Sequence, residues 1–179
     1  NVDFHGVAWV RPDGNLLIDP MPMSEHDRAH LQALGGAAWI VVTNSDHVRG
    51  AQALAEAFGA TLCGPRAERE TFPLACARWL GDGDEPLPGL RVHELQGSKT
   101  AGELALVIDG TTLVCGDLVR GHAAGRLNLL PEGKLRDRAA AIASLQRIVA
   151  AHPRIDAVLV GVGWPLFGDG ARALAALAA

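Results

Sequence analysis

Three apolar runs, each followed at once by a short polar loop, constrain the fold of this chain more than any other feature. The runs are "AWIVV", "TTLVC" and "DAVLV", and the loops that follow them are "TNSDH", "GD" and "GVGWP". Continuous apolar runs of this length are typical of strands that are buried on both faces. Loops at strand ends are where α/β scaffolds place binding groups. The pattern therefore predicts a layered α/β fold whose chemistry lies at the ends of its strands.

The segments between these runs predict the remaining elements. Residues 4–18 predict a β-hairpin, because "RPDG" has proline and glycine in turn positions. Ser24, with Asp27 three residues later, predicts the start of a helix. Further helices are expected in three segments: "VRGAQALAEAF", which stops at Gly59, "LRDRAAAIASLQRIVAAHP", and the closing "DGARALAALAA". No repeat or linker interrupts the chain, so we expect a single domain over residues 1–179.

Composition excludes several classes of protein. The 179 residues are 49% hydrophobic, but no apolar run approaches the ~20 residues that a membrane span needs. The net charge of −4 and the lack of a basic stripe argue against a nucleic-acid partner. Three cysteines, Cys63, Cys76 and Cys115, lack metal-type spacing, and we expect all three to be small buried hydrophobes. Free thiols and no recognisable secretory signal favour the cytoplasm, although the chain begins at Asn1 and the completeness of its N-terminus stays open.

The polar loops contain a candidate site. Two carboxylates, Asp46 and Asp117, and one imidazole, His47, follow neighbouring apolar runs and can converge. Oxygen and nitrogen ligands of this kind suit zinc, manganese or iron. A fourth loop, "QGSKTAGE", joins two predicted strands and carries Lys99.

The order of these motifs resembles the metallo-β-lactamase fold superfamily, in particular its hydroxyacylglutathione hydrolase-like members. Five landmarks occur in the family's order: "IDP" at Ile18–Pro20, a His-x-His-x-Asp-His counterpart at Val42–His47, a Gly-His-Thr-x-Gly counterpart around Lys99, Gly116-Asp117, and a terminal Gly-His-Gly-x-Pro counterpart at Gly161–Pro165. The resemblance spans nearly the whole chain. It implies a four-layer αββα sandwich, with the site at one edge between two sheets.

Several residues depart from the family's metal ligands. The resemblance assigns the first metal to the positions of Val42, Asn44 and Lys99, and none of these side chains suits a cation. It assigns the second metal to Asp46, His47, Asp117 and a histidine whose place is taken by Val162. Three protein ligands and a water can still form a catalytic zinc site, so a single-metal centre stays open on ligand number.

Charge favours a site without metal. Asp46 and Asp117 repel each other if they lie close together, and a buried pair needs a cation or a shared proton. The ammonium of Lys99 can replace a metal as a point charge with three donors. We therefore predict an Asp46–Lys99–Asp117 ion cluster, with Asn44 bonded to a carboxylate and Val162 as an apolar wall.

Each candidate also has a structural interpretation. His47 is either a ligand or an imidazole that anchors its loop, and Asp46 is a ligand, a general base or the N-cap of the next helix. Asp117 either takes part in chemistry or only accepts hydrogen bonds from loop amides. Asp19 is expected to tie neighbouring loops together. Trp164 lines the pocket mouth or belongs to the core, and Lys99 lies in the pocket or on the surface.

Five further residues carry alternatives of the same kind. Arg49 and Arg120 either bind an anionic ligand or are solvated. His26 and His30 lie four residues apart on one helix face, a spacing that is more often solvated than metal-binding. His122 follows Asp117 by five residues and is a weaker candidate for a replacement ligand.

Two functions from different classes remain. The favoured one is a metal-free, non-catalytic or repurposed protein that binds a small molecule or a protein partner. The alternative is a hydrolase that uses one zinc, manganese or iron ion at Asp46, His47 and Asp117, or a metal-free hydrolase with Asp46 as base. The resemblance implies an ester, thioester, lactone or phosphoester as the substrate. No membrane partner is expected. The alanine-rich closing helix favours a homodimer, although the sequence leaves the oligomeric state open.

Overall fold

The computed structural model describes residues 3–178, which form four α-helices and twelve strands. The mixed α/β class predicted from the sequence is confirmed. The chain divides into two compact units, one from His5 to Trp79 and one from Leu80 onward that includes Asp3 and Phe4.

The first unit contains a five-stranded sheet in chain order. Its strands are β1 (Val7–Trp9), β2 (Leu16–Ile18), β3 (Trp39–Val41), β4 (Thr61–Pro65) and β5 (Arg78–Leu80). β1 and β2 form the predicted antiparallel hairpin, whereas β2, β3 and β4 pair in parallel. Because parallel strands end at the same edge of a sheet, the loops that begin at Asp19 and at Val42 are neighbours.

Two helices pack on this sheet, α1 (Glu25–Ala33) and α2 (Ala51–Phe58). α1 begins as predicted, since Ser24 and Asp27 form a capping box. α2 ends at Gly59, which adopts the left-handed conformation that closes many helices. The apolar faces of both helices meet the strands in one core, which contains Leu17, Leu31, Ile40, Leu54 and Leu62.

The second unit contains seven strands and two helices. The strands are β6 (Leu90–Leu95), β7 (Glu103–Ile108), β8 (Thr112–Cys115), β9 (Val119–Ala123), β10 (Arg126–Leu129), β11 (Ala157–Val160) and β12 (Leu166–Phe167). Five of them form a sheet in the order β12-β11-β8-β7-β6, and β9 pairs with β10. β8 and β11 are parallel, so the polar loops after Cys115 and Val160 leave the sheet side by side.

The helices α3 (Arg138–Ala151) and α4 (Gly170–Leu177) cover this second sheet. Their shared core with the strands includes Ala105, Leu113, Leu145, Val158 and Leu174. A tight turn joins β7 and β8, with Asp109 and Gly110 both at positive φ. The strands β5, β9, β10 and β12 were not predicted, because each lies in a short segment of mixed polarity.

The cysteines and the helices bear on two predictions that were made from composition. Cys63 and Cys115 are buried as expected, whereas Cys76 is only half-buried, and all three are free thiols. Within residues 3–178, no helix has the length and apolar character to cross a bilayer.

A close backbone contact fixes the loop after β11. Gly121 donates its N–H to Val162 O at 3.1 Å and accepts from Trp164 N at 2.6 Å. A Cβ atom on Gly121 would lie 1.9 Å from the carbonyl oxygen of Trp164. Only a glycine fits here without moving one of the two segments.

We therefore expect Gly121→Ala to lower the free energy of unfolding by about 1–3 kcal/mol, because the added methyl group overpacks a backbone contact. Urea denaturation followed by circular dichroism measures this change. Gly133→Ala is the matched control, since a Cβ at Gly133 meets no atom within 4 Å. Equal stabilities for the two variants would contradict the contact described.

Candidate functional site

The candidate site of the first unit is the loop from Val42 to His47. Val42 donates its N–H to Cys63 O at 3.0 Å, and its side chain is fully buried in the apolar core. A position that the resemblance assigns to a metal ligand is therefore part of the hydrophobic packing.

Asn44 caps a single 3₁₀ turn, Ser45–His47. Its Oδ1 accepts the N–H of Asp46 at 3.0 Å, and its Nδ2 lies 3.4 Å from Thr43 Oγ1. These contacts correct the expectation that Asn44 bonds to a carboxylate. Asp46 is not the N-cap of the following helix either, because Gly50 occupies that position in α2.

Asp19 joins the loop after β2 to the loop after β3. Its Oδ1 accepts the N–H of Thr43 at 2.7 Å, and its Oδ2 accepts the Thr43 hydroxyl at 2.6 Å. The same Oδ2 lies 2.7 Å from His47 Nδ1, with both side chains 5% exposed. Asp19 thus ties neighbouring loops together, and it holds the ring of His47 at Nδ1.

Arg49 and Glu68 also support this loop. Arg49 donates to the backbone oxygens of His5 at 2.7 Å and Asp19 at 3.3 Å, so its guanidinium is engaged with backbone carbonyls. Glu68 is buried, and its Oε2 accepts the N–H of Ser45 at 2.9 Å. Its Oε1 is buried without a hydrogen-bond partner among the residues that the structure describes. No sequence pattern singles out Glu68.

In the second unit, Asp117 forms an ion pair with Arg120. Arg120 Nη2 lies 2.5 Å from Asp117 Oδ1, and Arg120 Nε donates to Asp117 O at 3.0 Å. The two side chains are only 13% and 5% exposed. The sequence left open whether Arg120 binds an anionic ligand or is solvated, and the structure shows it bound to the motif's own carboxylate.

A second buried carboxylate, Glu103, organises the loops around Asp117. Its Oε1 accepts the N–H groups of Asp117 at 2.7 Å and Leu118 at 2.9 Å, and its Oε2 accepts the hydroxyl of Ser98. Burial raises the pKa of the Glu103 carboxyl to about 7, the hydrogen bond from Ser98 opposes that shift, and the charge of Asp117 adds to it. Glu103 was not predicted as a site residue, because a glutamate at the start of a strand is usually solvated.

The other predicted residues are placed as follows. Lys99 is exposed on the bend between β6 and β7, and Asp46 is exposed in the loop after β3. Asp46 and Lys99 belong to different units, so the ion cluster of Asp46, Lys99 and Asp117 stays a prediction. Val162 is buried, and Trp164 is 59% exposed, which excludes a core role for Trp164.

The remaining histidine candidates do not form a metal site. His26, His30 and His122 are exposed, and His122 lies on the β9–β10 hairpin, where its N–H donates to Asn128 Oδ1 at 3.1 Å. Within residues 3–178, no three side chains of His, Cys, Asp or Glu are grouped as a metal ion requires.

The residues at the family's ligand positions do not fit a two-metal centre. The side chain of Val42 is packed in the core, the amide oxygen of Asn44 is taken by a backbone N–H, and Val162 has no donor atom. Asp117 already holds a guanidinium on one oxygen. The donor set therefore disagrees with the metal chemistry that the resemblance implies.

A family model described as "Metallo-beta-lactamase superfamily" matches residues 1–179. No curated protein matches the sequence. Among solved structures, a metallo-beta-lactamase from Pontibacter korlensis is 19% identical with a TM-score of 0.76, covering 99% of this chain and 87% of that one. TTHA1623 "in a di-iron-bound form" is 23% identical with a TM-score of 0.71, covering 90% and 88%. At these identities the structures show the fold, and the fold predicted from the resemblance is confirmed.

Glu103 generates a pH dependence with a defined sign. Its folded pKa of about 7 lies above the ordinary value of 4.5, so the folded protein binds this proton more tightly than the unfolded chain does. The stability that the proton contributes is complete below pH 4.5 and is lost as the pH rises through about 7. We expect Glu103→Gln, which keeps the shape and the acceptor oxygen, to gain stability relative to the wild type over this range.

Chemical denaturation at several pH values measures the difference between the two proteins. Glu132→Gln, at an exposed turn, is the control and is expected to follow the wild-type pH profile. A constant difference between Glu103→Gln and the wild type from pH 4.5 to pH 8 would contradict the raised pKa.

Proposed function

The chain belongs to the metallo-β-lactamase superfamily, and we propose that it is a metal-free member whose site binds a small molecule or a protein partner instead of catalysing hydrolysis. The observation that carries this proposal is the buried ion pair of Asp117 with Arg120. The resemblance gives Asp117 the role of bridging ligand, and here its charge is balanced by a side chain.

Electrostatics make this pair a strong competitor of a metal ion. A guanidinium 2.5 Å from the carboxylate satisfies the negative charge in a site with little exposure to water. A divalent cation at the same carboxylate would lie close to that fixed positive charge, or would have to displace it. Displacement would leave a mostly buried arginine without its partner, which is strongly destabilising.

The other replacements support the same interpretation. Each has a structural role of its own: Val42 packs in the core, Asn44 caps the turn, and Val162 is buried at the end of β11. Lys99 brings a positive charge to a position where the family has a neutral ligand. We propose that this charge offsets Asp46 and Asp117, as the predicted ion cluster requires.

Loss of the metal removes the usual source of reactivity in this superfamily. A bound metal ion lowers the pKa of water toward neutrality and polarises the scissile carbonyl or phosphoryl group. A carboxylate such as Asp46 is a far weaker activator of water by itself. Esters, thioesters, lactones and phosphoesters, the compounds that the resemblance implies, are therefore proposed as ligands rather than as substrates.

A second function is favoured by one observation. His47 Nδ1 lies 2.7 Å from the carboxylate of Asp19, and histidines that bind metals are commonly oriented by a carboxylate at their second nitrogen. This arrangement supports the alternative of a hydrolase with one zinc, manganese or iron ion held by Asp46, His47 and Asp117. That ion would supply an activated water, and at Asp117 it would either lie close to the charge of Arg120 or displace it.

Metal content discriminates between the two functions. We expect wild-type protein purified without chelator or metal-affinity resin to carry substoichiometric zinc, manganese and iron by mass spectrometry. The Lys99→His/Val162→His variant is expected to take up metal, because it restores two ligands and removes one positive charge. Lys134→His is the control, since Lys134 is the only other lysine and is exposed.

The metal-free proposal would be contradicted if the wild type contained stoichiometric metal and the Asp46→Asn variant did not. It would then justify a screen of ester and phosphoester substrates.

A further inference from the structure

Two histidines that lie outside the motifs meet in the second unit. His93 Nε2 and His152 Nε2 are 2.8 Å apart, and the two rings are nearly perpendicular, with their planes at 81°. No function described above involves either residue.

Both rings are attached to rigid elements. His93 lies on β6 two residues before Leu95, so it shares the face of the strand that packs under α3. His152 caps the C-terminus of α3, where its N–H donates to Ile148 O at 2.8 Å. The His93 side chain is 15% exposed. The pair is thus held in place by the fold before any ligand binds.

The surroundings of both imidazoles favour the neutral form. Burial is the main cause that lowers the pKa of His93, and the neighbouring His152, Arg91 and Arg147 lower it further, while Asp82 opposes them. Burial and Arg91 also lower the pKa of His152. At a separation of 2.8 Å, one Nε2 atom donates its hydrogen to the other, and neutral imidazole is the form that binds metals.

We propose that His93 and His152 bind one late first-row divalent ion, Cu²⁺ or Ni²⁺, through their Nε2 atoms, with water completing the coordination. With metal–nitrogen bonds of about 2.0 Å, donors 2.8 Å apart subtend an angle of roughly 90°, the cis angle of tetragonal Cu²⁺ and Ni²⁺ sites. Tetrahedral zinc would need a separation of about 3.3 Å at the same bond length. In the structure the two Nε2 atoms face each other. When the ion binds, each ring tilts so that the lone pair of its Nε2 atom faces the ion.

The proton between the two Nε2 atoms moves to an Nδ1 atom when the ion binds. The ring that carries hydrogen on Nε2 changes to the tautomer with hydrogen on Nδ1, so both Nε2 lone pairs become available without net release of a proton. Asp82 Oδ1 lies 3.7 Å from His93 Nδ1 and is itself fixed by the N–H of Glu94 at 3.1 Å. A carboxylate at the second nitrogen is the usual orienting partner of a metal-binding histidine.

The surrounding charges are compatible with a cation. Arg91 is paired with Glu85 at 2.9 Å, and Arg147 donates to the carbonyl of Glu94 at 3.4 Å. The C-terminal carbonyls of α3 carry partial negative charge next to His152. These groups offset the repulsion that the two arginines exert on an incoming ion.

The test is Cu²⁺ binding by calorimetry, together with electron paramagnetic resonance to count coordinated nitrogens. His26 and His30 are first replaced by glutamine, so that no exposed pair of histidines on α1 can contribute nitrogens to the measured signal. In that background we expect one site with two imidazole nitrogens. Loss of either histidine removes a tethered ligand, so His93→Gln or His152→Gln should weaken binding by about 100-fold or more.

His122→Gln is the matched control and should leave the affinity unchanged, since His122 is exposed on another hairpin. Circular dichroism shows whether His152→Gln folds, and if it does not, His93→Gln alone decides. Unchanged Cu²⁺ affinity in the folded glutamine variants, or a spectrum with one imidazole or none, would overturn the proposal.

Discussion

Each unit of this protein depends on a buried carboxylate that accepts hydrogen bonds from the loops at its strand ends. Asp19 binds the backbone and hydroxyl of Thr43 and orients His47, and Glu103 binds two loop amides and the hydroxyl of Ser98. A buried carboxylate without such donors would be costly, so the loops and the acids fix each other. The positions of His47 and Asp117 follow from these two networks.

The loops around these acids carry different side chains from those that the resemblance expects. Where the resemblance expects ligands, the chain has a core valine at Val42, a capping amide at Asn44 and a carboxylate paired with Arg120. Each replacement satisfies its own local requirement for packing or hydrogen bonding. The loss of one metal ligand by itself would not require the other positions to change as well. Because all the replaced residues have roles that do not involve a metal, we favour a site without metal.

Turn and capping residues in the sequence were enough to predict the β1–β2 hairpin, the start of α1 at Ser24 and the end of α2 at Gly59. The β9–β10 hairpin was not predicted, because apolar residues do not alternate regularly with polar ones in "VRGHAAGRLNL". The roles of Glu68, Glu103 and Arg120 could not be predicted, because the burial of a charged side chain depends on partners distant in sequence or on the local turn. The resemblance supplied the site's positions, but not the contacts that its replaced residues make.

The most direct test of the central claim is a crystal structure grown with excess zinc, with an anomalous difference map recorded at the zinc edge. The map locates each ion, so it separates the candidate site from the His93–His152 pair. Our account predicts no anomalous peak at Asp117 and an intact contact between Asp117 and Arg120. A peak bonded to Asp46, His47 and Asp117, with Arg120 displaced, would contradict it.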